Sequence, residues 1–123
     1  MEHRILIVDD EANMLDILSD VLSDEGYIVD VASDGLEAIE KASSGDFHVV
    51  ILDLRLPDMS GLDILREIKS KTPQTVTIMI TAYSSVDTAI QAMKIGAYDY
   101  ITKPFKIEQL KREVASALEL GAS

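Results

Sequence analysis

The sequence predicts an α/β domain in which five parallel strands alternate with five helices. Three observations carry this. Short runs of β-branched and apolar residues recur at regular intervals, each too short for a helix. Amphipathic stretches of helical spacing fill the gaps between them. The first, third and fourth runs are apolar nearly throughout, the mark of strands buried on both faces. Strict alternation of the two kinds of segment implies a parallel sheet, helices on both of its faces and right-handed crossovers.

Taken in order, Ile5-Leu6-Ile7-Val8 forms the first strand, and Met14, Leu15, Leu18, Val21 and Leu22 line one face of the first helix. Tyr27-Ile28-Val29 is the second strand, and Leu36, Ala38, Ile39 and Ala42 stripe the second helix. Val49-Val50-Ile51-Leu52 is the third strand. The helix after it is entered through Ser60-Gly61 and striped by Leu62, Leu65 and Ile68. Residues 76–80 form the fourth strand. Val86, Ala89, Ile90 and Met93 are expected to face the core from the fourth helix, with Ser84 or Ser85 as its cap. Residues 98–101 form the fifth strand. Ile107, Leu110, Val114 and Leu118 give the core face of a fifth helix, closed by Gly121. No linker or low-complexity segment interrupts the pattern, so residues 1–123 are expected to form one domain.

Composition removes several function classes. The chain has no cysteine, which excludes a disulfide scaffold, a thiolate metal site and a cysteine nucleophile. His3 and His48 are too far apart in sequence to read as a metal-ligand pair. No apolar run approaches the roughly 20 residues that span a bilayer, and no signal peptide is evident, so a soluble cytoplasmic domain with no membrane contact is expected. The net charge of -11, from 22 acids against 11 bases, argues against direct contact with nucleic acid. The acids crowd the first half: residues 1–61 hold 15 acids and 3 bases. Most of them are explained as a solvated face, but some could converge on a cation.

Ligands of open α/β sheets bind beyond the carboxyl ends of the strands. The residues following each run are therefore the candidates: Asp9, Asp10 and Glu11; Ala32 and Ser33; Asp53; Thr81; and Thr102, Lys103 and Pro104. If the strand order is 2-1-3-4-5, the flavodoxin-like (βα)5 arrangement, the first and third strands are neighbours and Asp9, Asp10 and Asp53 share one pocket. Three carboxylates so placed repel one another, and a hard divalent cation resolves the conflict. Oxygen-only ligands favour Mg²⁺ or Mn²⁺. The macrodipole of a following helix accounts for Glu11 and could account for Asp10, but not for Asp53 at the end of a buried strand. Lys103 adds an ammonium and Thr81 a hydroxyl to the same rim, while Pro104 stiffens the Lys103 loop and could be cis. A carboxylate nucleophile, a divalent ion, an ammonium and a hydroxyl form a phosphoryl-transfer set.

At these residues the sequence resembles the receiver domain of two-component response regulators, a chemotaxis-regulator-like fold. The matching segments are I-L-I-V-D-D-E (5–11), V-V-I-L-D-L-R-L-P-D-M-S-G (49–61), I-M-I-T-A-Y (78–83) and D-Y-I-T-K-P-F (99–105). The Thr-Ala-Tyr run and Gly96-Ala-Tyr-Asp-Tyr resemble most the receivers of nitrogen-regulation-type transcriptional activators. The resemblance implies that Asp53 is the phosphoacceptor, taking its phosphoryl group from a sensor histidine kinase. It implies that Asp9, Asp10 and Asp53, with the backbone carbonyl of Arg55, hold Mg²⁺, and that the Arg55 side chain points elsewhere and tunes the lifetime of the phosphate. Lys103 then pairs with the phosphoryl group, and Thr81 and Tyr100 are the switch hydroxyl and switch aromatic. Pro57 and Gly61 shape the acceptor loop. The surface of the fourth helix, fifth strand and fifth helix would change on phosphorylation and address an output domain, an effector or a second copy of the chain. Such a domain is regulatory, and its only chemistry is its own phosphorylation and dephosphorylation.

Other classes fit less well. A haloacid-dehalogenase-type hydrolase needs an aspartate two residues after its nucleophile, where Arg55 stands. A flavodoxin-like electron carrier would place hydroxyls and amides where Asp9, Asp10 and Glu11 would repel a phosphate. The six glycines never fall in the G-x-G spacing of a dinucleotide site. A receiver-like interaction module that is not phosphorylated would be marked by loss of Asp53 or Lys103, and both are present.

Overall fold

The structure is a computed structural model and describes residues 2–83 and 85–122. Strands and helices alternate without exception: β1 (Arg4–Val8), α1 (Ala12–Asp24), β2 (Ile28–Ala32), α2 (Gly35–Ser44), β3 (Val49–Asp53), α3 (Gly61–Lys71), β4 (Val76–Thr81), α4 (Val86–Ile95), β5 (Asp99–Thr102) and α5 (Ile107–Ala122). The strands form one parallel sheet in the order β2-β1-β3-β4-β5. Val8 lies opposite both Ala32 and Leu52, Asp53 opposite Ile80, and Thr81 opposite Thr102. The carboxyl ends of all five strands therefore reach one edge together.

Alternation along each strand divides the core into two layers. Ile5, Ile7, Val49, Ile51, Ile78 and Ile80 face Leu15, Leu18 and Leu22 of α1 and Leu110 and Val114 of α5. Leu6, Val8, Val50, Leu52 and Met79 face Ala38 and Ala42 of α2, Ile64, Leu65 and Ile68 of α3, and Ala92 of α4. Strands β3 and β4 are buried along their whole length, as apolar runs covered on both faces must be.

Three local expectations are corrected. Val86, Ile90 and Met93 of α4 face solvent, with exposures of 76%, 47% and 47%, while the small Ala92 is fully buried. The helix approaches the sheet on its smallest side chain and turns its apolar stripe outward. Leu36 is exposed because α2 sets Gly35, Ala38 and Ala42 against the sheet, and a residue one step past Gly35 points away. Helix α5 continues through Gly121 to Ala122 instead of closing there. Apart from these corrections, His3 and His48, distant in sequence, pack edge to face with ring centroids 5.3 Å apart. Ser85 caps α4 through a capping box with Thr88, and Ser84 lies outside the described residues.

Candidate functional site

Asp9 leaves the end of β1 and Asp53 ends β3. Because these strands are neighbours in register, the two side chains emerge side by side. One carboxylate oxygen from each of Asp9, Asp10 and Asp53 lies within 4.8 Å of the others. Asp9 and Asp53 are buried and Asp10 is exposed. Lys103 enters from the loop after β5, where its N–H donates to the Thr81 carbonyl at 2.9 Å and its bond to Pro104 is cis. Its ammonium donates to Asp9 Oδ2 at 2.8 Å and to Asp53 Oδ2 at 3.2 Å. The remaining oxygens are held by backbone: Asp9 Oδ1 accepts from the Glu11 N–H at 2.9 Å, and Asp53 Oδ1 from the Arg55 N–H at 3.3 Å.

Burial pushes the Asp53 carboxyl above the usual range, and the Asp9 charge adds to this, while the Lys103 ammonium pulls the other way. Burial acts on Lys103 in the opposite sense, but its hydrogen bond to Asp9 and the charges of Asp53 and Asp9 outweigh it and hold the ammonium above its ordinary value. One ammonium thus serves two buried carboxylates, and Asp10 adds a third at the mouth. The donor set is oxygen only, compact and under-neutralised, which suits a small hard cation such as Mg²⁺ or Mn²⁺ that keeps some of its waters. A cavity of about 260 Å³ opens on the site, lined in part by Asp10, Asp53, Arg55 and Lys103, with room for a phosphoryl group.

The other expected residues surround this centre. Thr81 is fully buried, and its hydroxyl accepts the Tyr83 N–H at 2.9 Å. Tyr100 is half-buried against the α3/α4 core layer, and its hydroxyl lies 3.0 Å from Thr88 Oγ1. Arg55 is exposed, and its guanidinium stacks 4.1 Å above the Tyr83 ring. Gly61 lets the chain pass close to the end of β3, since a Cβ there would run into the Asp53 carbonyl. Three participants were not singled out from the sequence: Tyr83, Thr88 and Asp58. A Ser followed three residues later by a hydroxyl residue marks Thr88 as the partner of a helix cap. No sequence signal pairs Tyr83 with Arg55.

Comparison with known proteins points the same way. A family model described as the response regulator receiver domain matches residues 5–115. Transcriptional regulatory protein ZraR of Klebsiella oxytoca is 42% identical over 93% of this chain, which spans only 26% of that relative. Among solved structures, a CheY-like response regulator receiver domain protein of Methanospirillum hungatei superposes with a TM-score of 0.97 at 32% identity, covering 99% of this chain and 98% of the other. The beryllofluoride-activated NtrC4 receiver domain dimer superposes with a TM-score of 0.91 at 40% identity, covering 96% and 98%. Among the described residues, no helix is long and apolar enough to cross a membrane.

Proposed function

The chain belongs to the response regulator receiver family of two-component systems, and from that premise we propose that Asp53 is the residue phosphorylated. The observation that carries this reading is the placement of the Asp53 carboxylate between one ammonium and two further acids, at the floor of an open cavity. In the reaction, an Asp53 oxygen attacks the phosphorus of a phosphohistidine on a sensor kinase. The P–N bond breaks with its electron pair going to the ring nitrogen, the neutral imidazole leaves keeping the proton already on its other nitrogen, and an acyl phosphate remains. Asp9, Asp10, Asp53 and the Arg55 backbone carbonyl would hold Mg²⁺, which supplies charge neutralisation at the transferring oxygens. Lys103 then exchanges part of its pairing with Asp53 for a phosphoryl oxygen.

The added charge then draws on the neighbouring groups. Thr81 gives up the Tyr83 N–H and donates its hydroxyl to the phosphoryl group. Tyr100 leaves Thr88 and moves into the space beside β4. The first turn of α4 and the outer face of α4, β5 and α5 rearrange with it. Such a module is an equilibrium of two states biased by phosphate, and a complete shift from 1:99 to 99:1 requires about 5.5 kcal/mol. Val86, Ile90 and Met93 give α4 an exposed apolar stripe, and Lys94, Lys106 and Arg112 add basic residues on or near α4 and α5, for an output domain, an effector or a second copy of the chain. The dimer formed by the similar NtrC4 receiver supports the last of these.

Incubation with a small-molecule phosphodonor and Mg²⁺ tests the assignment. One acid-labile phosphate is expected on the chain, and none on Asp53→Asn. Equal labelling of that variant assigns the acceptor elsewhere.

A further inference from the structure

The acceptor loop between β3 and α3 is a small closed hairpin. Its base is fastened by the Gly61 N–H on the Leu54 carbonyl at 2.6 Å and by a bridge between Arg55 and Ser60. Asp58 stands at its tip and reaches across to a different helix. Its Oδ1 accepts the Gly35 N–H at 2.7 Å and its Oδ2 the Leu36 N–H at 3.0 Å. These are the first two N–H groups of α2, which an isolated helix leaves unpaired. Asp34, the N-cap of α2, takes the next one, from Glu37, at 2.8 Å. The first turn of α2 is therefore satisfied jointly by its own cap and by a carboxylate from 22 residues further along the chain. The two segments approach closely enough that a Cβ on Gly35 would run into Met59 Cγ and Sδ.

We infer that Asp58 is a positioning residue for phosphorylation: it latches the hairpin tip onto α2 and so fixes the far end of the hairpin, where Arg55 presents its backbone to the Asp53 site. This rests on the reading of Asp53 as the acceptor and extends it to a residue outside the site. The reason is mechanical. When the tip is free, its motion twists the short Arg55-to-Pro57 arm that joins it to the base, and the Arg55 carbonyl, which the Asp53 reading puts among the metal's ligands, turns with that arm. Held at both ends, the hairpin keeps that carbonyl in one place before the ion arrives. The charge matters as well, because a carboxylate on the positive end of a helix is retained more firmly than a neutral group.

Titration calorimetry with MgCl₂ on the whole chain tests the latch without any phosphorylation step. Asp58→Ala is expected to weaken Mg²⁺ binding about tenfold, the scale at which outer partners of metal sites act. Asp58→Asn keeps a carbonyl oxygen for one of the two N–H groups and is expected to recover part of that loss. Asp34→Ala uncaps the same turn of α2 without touching the hairpin, so it should lower the melting temperature while leaving Mg²⁺ affinity at the wild-type value. Gly35→Ala supplies an independent displacement of the hairpin tip and should weaken Mg²⁺ as Asp58→Ala does. Wild-type affinity in Asp58→Ala overturns the latch, as does equal weakening by Asp34→Ala. If the wild-type chain binds Mg²⁺ but takes no phosphate on Asp53, the acceptor reading fails while the latch is still decided by the variants.

Discussion

Lys103 Nζ and Asp53 Oδ2 lie 3.2 Å apart, with side chains only 10% and 7% exposed. The same ammonium is 2.8 Å from Asp9, which is 5% exposed. Removing one partner of so buried a set leaves the others uncompensated, at a cost of about 3 kcal/mol or more. Lys103→Met is therefore expected to lower the unfolding free energy by about that amount in metal-free buffer, measured by urea denaturation. Added Mg²⁺ should return part of the loss, since it neutralises the same carboxylates. A variant as stable as the wild type with and without the ion would show that Lys103 does not hold this cluster together.

Asp10 contributes to the cluster from its exposed side, whereas Lys103 pairs with the buried Asp9 and Asp53, so the role of Asp10 is separable from that of the ion pair. Asp10→Ala is expected to weaken Mg²⁺ binding by about tenfold or more while changing stability little. Glu40→Ala removes an equal charge from the exposed side of α2, away from the cluster, and should leave the affinity within about twofold by the screening expected of surface charges. Similar losses in the two variants would reduce the effect to overall charge.

The hydroxyl of Tyr100 joins the capping box of α4 through Thr88. Tyr100→Phe removes that link and keeps the ring, so about 1 kcal/mol of stability is expected to go, with faster amide exchange in the first turn of α4. Thr88→Val removes the same link from the other side, together with its part in the cap. A double-mutant cycle should return a coupling of about 0.5 kcal/mol or more, and additive losses would show that the two hydroxyls do not communicate. Phosphate uptake by Tyr100→Phe should match the wild type, since the hydroxyl lies outside the acceptor site.

In helix α4 the apolar pattern and the buried face do not coincide. Its apolar residues recur at helical spacing, and that spacing establishes only that one face avoids water. It does not distinguish a face covered by the chain's own sheet from one left for a partner. The side facing the core is marked by Ala92, whose small size is uninformative in a sequence but permits close approach to the sheet. Ile90→Gln and Met93→Gln should change the stability of the chain by no more than about 0.5 kcal/mol. Ala92→Leu, which overfills a fully buried position, should destabilise it by about 1–3 kcal/mol. The opposite ranking would return the apolar stripe to the core.

The gathering of Asp9, Asp10, Asp53 and Lys103 was legible for a different reason. Asp9, Asp53 and Thr81 each abut an apolar run and Lys103 lies one residue beyond another, and in a parallel sheet the end of such a run fixes a residue's place along the strand axis. Tyr83 and Asp58 sit in loops, where sequence position does not determine spatial neighbours. The contact of Asp58 with Gly35 and Leu36 joins segments that no periodicity relates, and only the folded chain displays it.

That contact also has a signature in pH. The Gly35 N–H above all, with the Leu36 N–H, holds the Asp58 carboxyl below the usual carboxylate range, a pull that slight desolvation only partly opposes. In the unfolded chain the same carboxyl titrates near its ordinary value of about 3.9. As pH falls through that value the unfolded chain takes up the proton first, so the stability contributed by ionised Asp58 declines and is lost once pH passes below the depressed folded value. Above about pH 5 the contribution is fully present. Asp58→Asn has no carboxyl to titrate, so its deficit relative to the wild type should be constant from neutral pH down to about 5 and should shrink below pH 4. Urea unfolding of both chains at pH 6 and at pH 3.5 reads the difference. An unchanged deficit at the two values would mean that the ionised carboxylate is not what grips the first turn of α2.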